Sequence, residues 1–104
     1  MDPVERAITD KLSAHFDAQI LQVTNESFMH SVPAGSESHF KLVIVCDQFD
    51  GQRLVHRHQS VYKLLEDELA GPVHALALHT YTPVEWSEKN AEAPKSPNCL
   101  GGSK

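Results

Sequence analysis

Apolar residues recur at the start of the chain at intervals of three and four. Val4, Ala7, Ile8, Leu12 and Phe16 share one stripe, a spacing that predicts an amphipathic helix from about Pro3 to Phe16. Asp2-Pro3-Val4-Glu5 supplies its start, with Asp2 as cap, Pro3 at the first helical position and Glu5 at the capping-box place. The period then changes. Ile20 to Thr24 is short and β-branched, as a strand requires, and His39 to Phe49 alternates. Phe40, Leu42, Ile44 and Cys46 fall on one face, Lys41, Val43, Val45 and Asp47 on the other, and Asp50-Gly51 closes the run with a turn. From Leu54 to Leu69 the helical period returns through Val55, Tyr62, Leu65 and Leu69, with Val61 and Leu64 alongside. Gly71-Pro72 stops that helix, and Val73 to Tyr81 reads as a third strand. Thr82-Pro83-Val84-Glu85 is a second capping box and predicts a short helix carrying Trp86.

Asn25 to Ser38, with Pro33-Ala34-Gly35-Ser36, reads as a loop long enough to carry function. Glu88 to Lys104 holds Pro94, Pro97 and Gly101-Gly102 with almost no large apolar residue, the composition of a disordered tail. The expected organisation is one domain over residues 1–87 and a tail over 88–104. Its order is α-β-β-α-β with a small helix at the end. The first two strands are expected to be antiparallel, and the second and third parallel through a helical crossover. The fold class is α/β in the α+β sense, a three-stranded mixed sheet with both helices packed on one face.

Composition narrows the function more than the fold. The 104 residues, 40% apolar, suffice for one core. Nothing approaches the roughly 18 to 20 consecutive apolar residues of a membrane span, and the first residues lack a secretory signal. A cytoplasmic chain with no membrane partner is the expectation. Cys46 lies in an apolar run and Cys99 in the polar tail, so no disulfide is expected between them. Cys46 reads as a small core hydrophobe. The net charge of −5 argues against non-specific nucleic-acid binding by the whole chain. Yet Arg53, His56, Arg57, His58 and Lys63 follow one another without an acid, a local basic surface near a helix start. There is no GxxxxGK[ST] phosphate loop and no HExxH, and the expectation is a binding protein rather than an enzyme.

The topology gives two histidines a meaning. In a parallel pair both strands begin at the same end of the sheet. His39 opens the second strand and His74 nearly opens the third. Adjacent backbones there are about 5 Å apart, so the two imidazoles are expected to converge beside the long loop. Each histidine reads either as an ordinary polar strand-end residue or as a metal ligand; as ligands the two make an incomplete site, which would point to ligands from another molecule.

Several linked stretches carry a family resemblance: Ser38-His39-Phe40-Lys41-Leu42-Val43-Ile44-Val45, Phe49-Asp50-Gly51, Arg57-His58-Gln59-Ser60-Val61-Tyr62, and Val73-His74-Ala75-Leu76 with Thr82-Pro83. Over about Val4 to Trp86 the chain resembles the BolA family. The resemblance implies a fold related to the type II KH domain. It also implies partnership with a monothiol glutaredoxin through a bridging [2Fe-2S] cluster, in iron-sulfur and iron homeostasis. The family's C-terminal histidine ligand falls on His74, and its loop-borne ligand falls on His39. The glutaredoxin cysteine and glutathione would complete the site, and no cofactor is expected in the isolated chain. A second implied activity is DNA binding and transcriptional control linked to cell shape, stress and biofilm growth. Two departures bear on it. No two glycines are three apart, so the GxxG clamp of a KH domain is absent, and the family's Arg-His-Arg is Arg57-His58-Gln59 here. The expected DNA contacts are Arg53, Arg57, His58 and Lys63, through phosphate more than bases. The resemblance leaves a weak homodimer open.

Overall fold

The structure is a computed structural model and describes residues 3–27 and 36–89. Helix α1 spans Pro3–His15, strand β1 Ile20–Asn25, strand β2 His39–Val45, helix α2 Leu54–Leu64, helix α3 Glu66–Ala70, strand β3 Ala75–Tyr81 and helix α4 Pro83–Glu88. A single 3-10 turn, Asp47–Phe49, follows β2. The sheet order is β1-β2-β3, with β1 antiparallel and β3 parallel to the central strand. The mixed sheet and its crossover are as the sequence pattern predicts.

One face of the sheet receives α1 and α2. Ile8 and Leu12 of α1, Val61 of α2 and Leu65 just after it meet Phe40, Leu42 and Ile44 of β2 in a fully buried cluster. Burying each such side chain stabilises the fold by about 1.5–3 kcal/mol, which is how an amphipathic stripe becomes a docked helix. Lys11 ties α1 to α3, its ammonium 2.9 Å from Glu68 and 3.7 Å from Asp67. The cap expected from Asp2 lies outside the described residues. Instead Glu37, just ahead of β2, accepts hydrogen bonds from the Val4 and Glu5 amides at 3.1 and 3.0 Å. A carboxylate there satisfies two orphan donors and meets the positive end of the helix.

The second face of the sheet is covered as well, and three expected element bounds are corrected. Val43, Val45, Tyr81 and Trp86 form a second buried cluster, so α4 covers the face away from α1 and α2. Both faces of β2 are buried from Leu42 onward. The second helix breaks at Leu65, whose φ of −103° and ψ of 21° separate α2 from α3. Strand β2 stops at Val45, and the polar Asp47 and Gln48 go into the 3-10 turn that returns Phe49 to the core. Strand β3 begins at Ala75, Val73 being drawn into the core ahead of it.

The second capping box is complete. The Glu85 amide donates to Thr82 Oγ1 and the Thr82 amide to Glu85 Oε1. Gly51 has a φ of 79°, the left-handed turn conformation that glycine adopts without a Cβ clash. Of the expected tail, Glu88 ends α4 and Lys89 is its C-cap, while residues 90–104, with Cys99, lie outside the described ones.

Candidate metal-ligand pair and basic helix

The parallel register sets His39 opposite Ala75, one residue past His74. The two imidazoles meet at the head of the sheet with ring centroids 6.0 Å apart and planes at 75°. His74 is exposed and His39 half-buried. Two imidazoles on one tetrahedral ion, with metal–nitrogen bonds of about 2.0–2.1 Å, have centroids about 5 Å apart. The observed separation is about 1 Å greater than that.

Backbone and side-chain bonds hold this end of the sheet together. The Ser38 carbonyl accepts from the His74 and Ala75 amides at 2.7 and 3.2 Å. Ser38 Oγ lies 2.8 Å from His39 Nδ1. Ser27 Oγ accepts from the Ser38 and His39 amides at 2.9 and 3.1 Å. Asn25 spans the base of the loop, accepting from the Ser27 amide at 2.9 Å and donating to the Ser36 carbonyl at 3.0 Å. Sequence reading missed Ser27, Ser38 and Asn25 as supports. Their only sequence signal is a cluster of small polar residues at both ends of one loop, the commonest composition of any turn. Among the described residues no group of three His, Cys, Asp or Glu side chains is gathered to hold a metal ion.

The basic stretch divides. Arg53 and Lys63 are exposed at the two ends of α2, about 15 Å apart at 1.5 Å per residue. Arg57 is corrected as a surface contact. It is 5% exposed and its guanidinium points inward. Nε donates to the Gln52 carbonyl at 2.9 Å, and Nη1 to the Thr80 carbonyl at 3.1 Å and to Glu85 at 2.7 Å. Nη2 donates to the other Glu85 oxygen at 3.2 Å, and the guanidinium carbon sits 5.6 Å from the Phe49 ring centroid. A fork engaged on that many acceptors is a structural cation joining α2, β3 and α4. His58 is half-buried, and burial followed by the Arg57 charge pulls its imidazole below the ordinary range, toward the neutral form. It adds shape rather than charge to the helix surface at pH 7. His56, unassigned from sequence, is exposed two helical turns before Lys63 on the same face. Cys46 is fully buried, and that burial pushes its thiol up, away from thiolate reactivity.

The sequence matches the family model described as BolA-like protein over residues 12–85. The chain belongs to the BolA family. Among its relatives, the "DNA-binding transcriptional regulator BolA" of Vibrio cholerae is 54% identical over 101 residues, which cover 97% of this chain and 95% of the relative. The solution structure of mouse BolA1 is similar at a TM-score of 0.83 and 46% identity, over 97% of this chain and 81% of that one. The BolA domain of SufE1 from Arabidopsis thaliana matches at a TM-score of 0.76 and 39% identity, over 82% of this chain and 98% of that domain. The three-stranded mixed sheet with its helices is thus a BolA fold. No helix among the described residues is long and apolar enough to cross a membrane.

Proposed function

We propose that this BolA-family chain is a non-enzymatic cytoplasmic partner of a monothiol glutaredoxin, with which it shares a [2Fe-2S] cluster. The observation that carries the reading is the His39–His74 pair, centroids 6.0 Å apart, with His74 open to an approaching surface. Imidazole is an established ligand of [2Fe-2S] iron, where a pair of histidines on one iron raises the potential above that of all-cysteine clusters. The two histidines are half of a four-ligand set, and the glutaredoxin cysteine and glutathione are the other half. His39 and His74 would hold the iron on this chain's side. The Ser38 hydroxyl and the backbone bonds made by Ser38 and Ser27 hold the two histidine-bearing segments at this end of the sheet. The test is copurification from the native host, with iron and sulfide quantified in the recovered complex. The reading expects glutaredoxin with near-equal iron and sulfide. Recovery of glutaredoxin with neither would count against it.

A second reading is favoured by the Vibrio cholerae relative, described as a DNA-binding transcriptional regulator. On this chain its surface would be the exposed side of α2, where Arg53, His56 and Lys63 stand outward and Arg57 does not. Phosphate contacts from so few cations give a shallow salt slope. The Arg53→Ala, Lys63→Ala double variant should weaken binding uniformly across DNA sequences and flatten that slope. Binding insensitive to salt would reject this surface.

A further inference from the structure

We infer that Ser38 is the positioning residue of the histidine pair, acting on His39 through its hydroxyl and on His74 through its carbonyl. The inference rests on the proposed reading of the two histidines as a ligand pair, and it goes further by naming what sets their geometry.

Three groups of one residue face three different anchors. The Ser38 amide is fixed on Ser27 Oγ at 2.9 Å, its carbonyl takes the His74 amide at 2.7 Å, and its hydroxyl lies 2.8 Å from His39 Nδ1. Both serines are buried, Ser27 at 4% and Ser38 at 7% exposure, so solvent does not substitute readily for these bonds. Ser27 itself is held by Asn25 and also takes the His39 amide, which leaves little slack in the frame. With Nδ1 on the Ser38 hydroxyl, ligation by His39 goes through Nε2. A neutral imidazole ligating through Nε2 keeps its hydrogen on Nδ1, and Ser38 Oγ is then the acceptor. That arrangement fixes the ring orientation and raises the basicity of the ligating nitrogen, as outer partners of histidine ligands do.

The test begins on the metal-free full chain. Long-range proton–nitrogen NMR of the His39 ring should show two well-separated nitrogen shifts in the wild type with Nδ1 the protonated nitrogen, the mark of the tautomer that leaves Nε2 to ligate. Ser38→Ala should move both shifts away from their wild-type values, and Ser38→Thr, which keeps the hydroxyl, should restore them. With a glutaredoxin-bound [2Fe-2S] cluster as probe, Ser38→Ala should raise the concentration needed to convert the visible circular dichroism spectrum by about 10-fold or more. Ser38→Thr should stay near the wild type. Averaged ring shifts in the wild type itself would overturn the inference even if Ser38→Ala did not fold. So would a folded Ser38→Ala with unchanged shifts. If no variant, wild type included, takes up the cluster, the ligand-pair reading falls while the ring shifts still decide the role of Ser38.

Discussion

Replacing Arg57 by alanine separates a structural cation from a surface one. The Thr80 carbonyl is buried and loses its Nη1 donor, and leaving a buried acceptor unsatisfied costs about 1–3 kcal/mol. The Gln52 carbonyl also loses its donor, in a wetter place, at a cost of about 1 kcal/mol or less. The Glu85 side chain is 44% exposed, so its pairing adds about 1 kcal/mol at most after solvent screening. The lost stacking over Phe49 adds a fraction more. Arg57→Ala should therefore destabilise the fold by about 3 kcal/mol. For a domain of this size that lowers the melting temperature by roughly 15 °C and the urea midpoint by roughly 2 M. Urea unfolding followed by Trp86 fluorescence, the chain having a single tryptophan, reads this directly. Arg53→Ala, at an exposed position, should shift stability by no more than about 0.5 kcal/mol. If Arg57→Ala unfolded like the wild type while losing DNA affinity, the guanidinium would be a solvent-facing phosphate contact and the reasoning would be refuted.

Three further outcomes follow from the same structure. Trp86→Ala opens the second core cluster and should cost about 3 kcal/mol or more by calorimetry, whereas Trp86→Phe should cost clearly less, because the buried indole N–H has no partner among the described residues. Glu37→Ala removes the carboxylate from the α1 amides and should cost about 1 kcal/mol in urea unfolding; a change below about 0.3 kcal/mol would show that the cap is not used. Arg57 holds the Glu85 carboxyl below its ordinary pKa of 4.5, so the stability linked to it is present above that value and lost as pH falls through the lower folded value. Glu85→Gln should flatten the acid limb of stability against pH, and an unchanged limb would place the acid sensitivity elsewhere.

Periodicity made much of this fold legible. The stripe of α1, the alternation that aims Phe40, Leu42 and Ile44 at it, and the helix between β2 and β3 together require the parallel pair that brings His39 and His74 to one end. What escaped was whatever depends on contacts between distant segments. Nothing near Val43 and Val45 shows that α4, more than thirty positions later, lays Trp86 over them. Arg57 reads as a surface charge because its three acceptor residues, Gln52, Thr80 and Glu85, come from three different segments. Glu37 gives no local sign that it caps a helix beginning at Pro3. The histidine pair was legible because strand topology alone decides it. Its Ser38 support was not, because one serine bonding through amide, carbonyl and hydroxyl at once leaves no periodic mark.

The proposed sharing of an iron-sulfur site by His39, His74 and a glutaredoxin can be tested by the visible circular dichroism of a glutaredoxin cluster, reconstituted with iron, sulfide and glutathione, on addition of this chain or of His74→Ala. A new spectrum is expected with the wild type and none of that change with His74→Ala, while the variant keeps the melting behaviour of the parent because His74 is exposed. The same new spectrum with folded His74→Ala would contradict it.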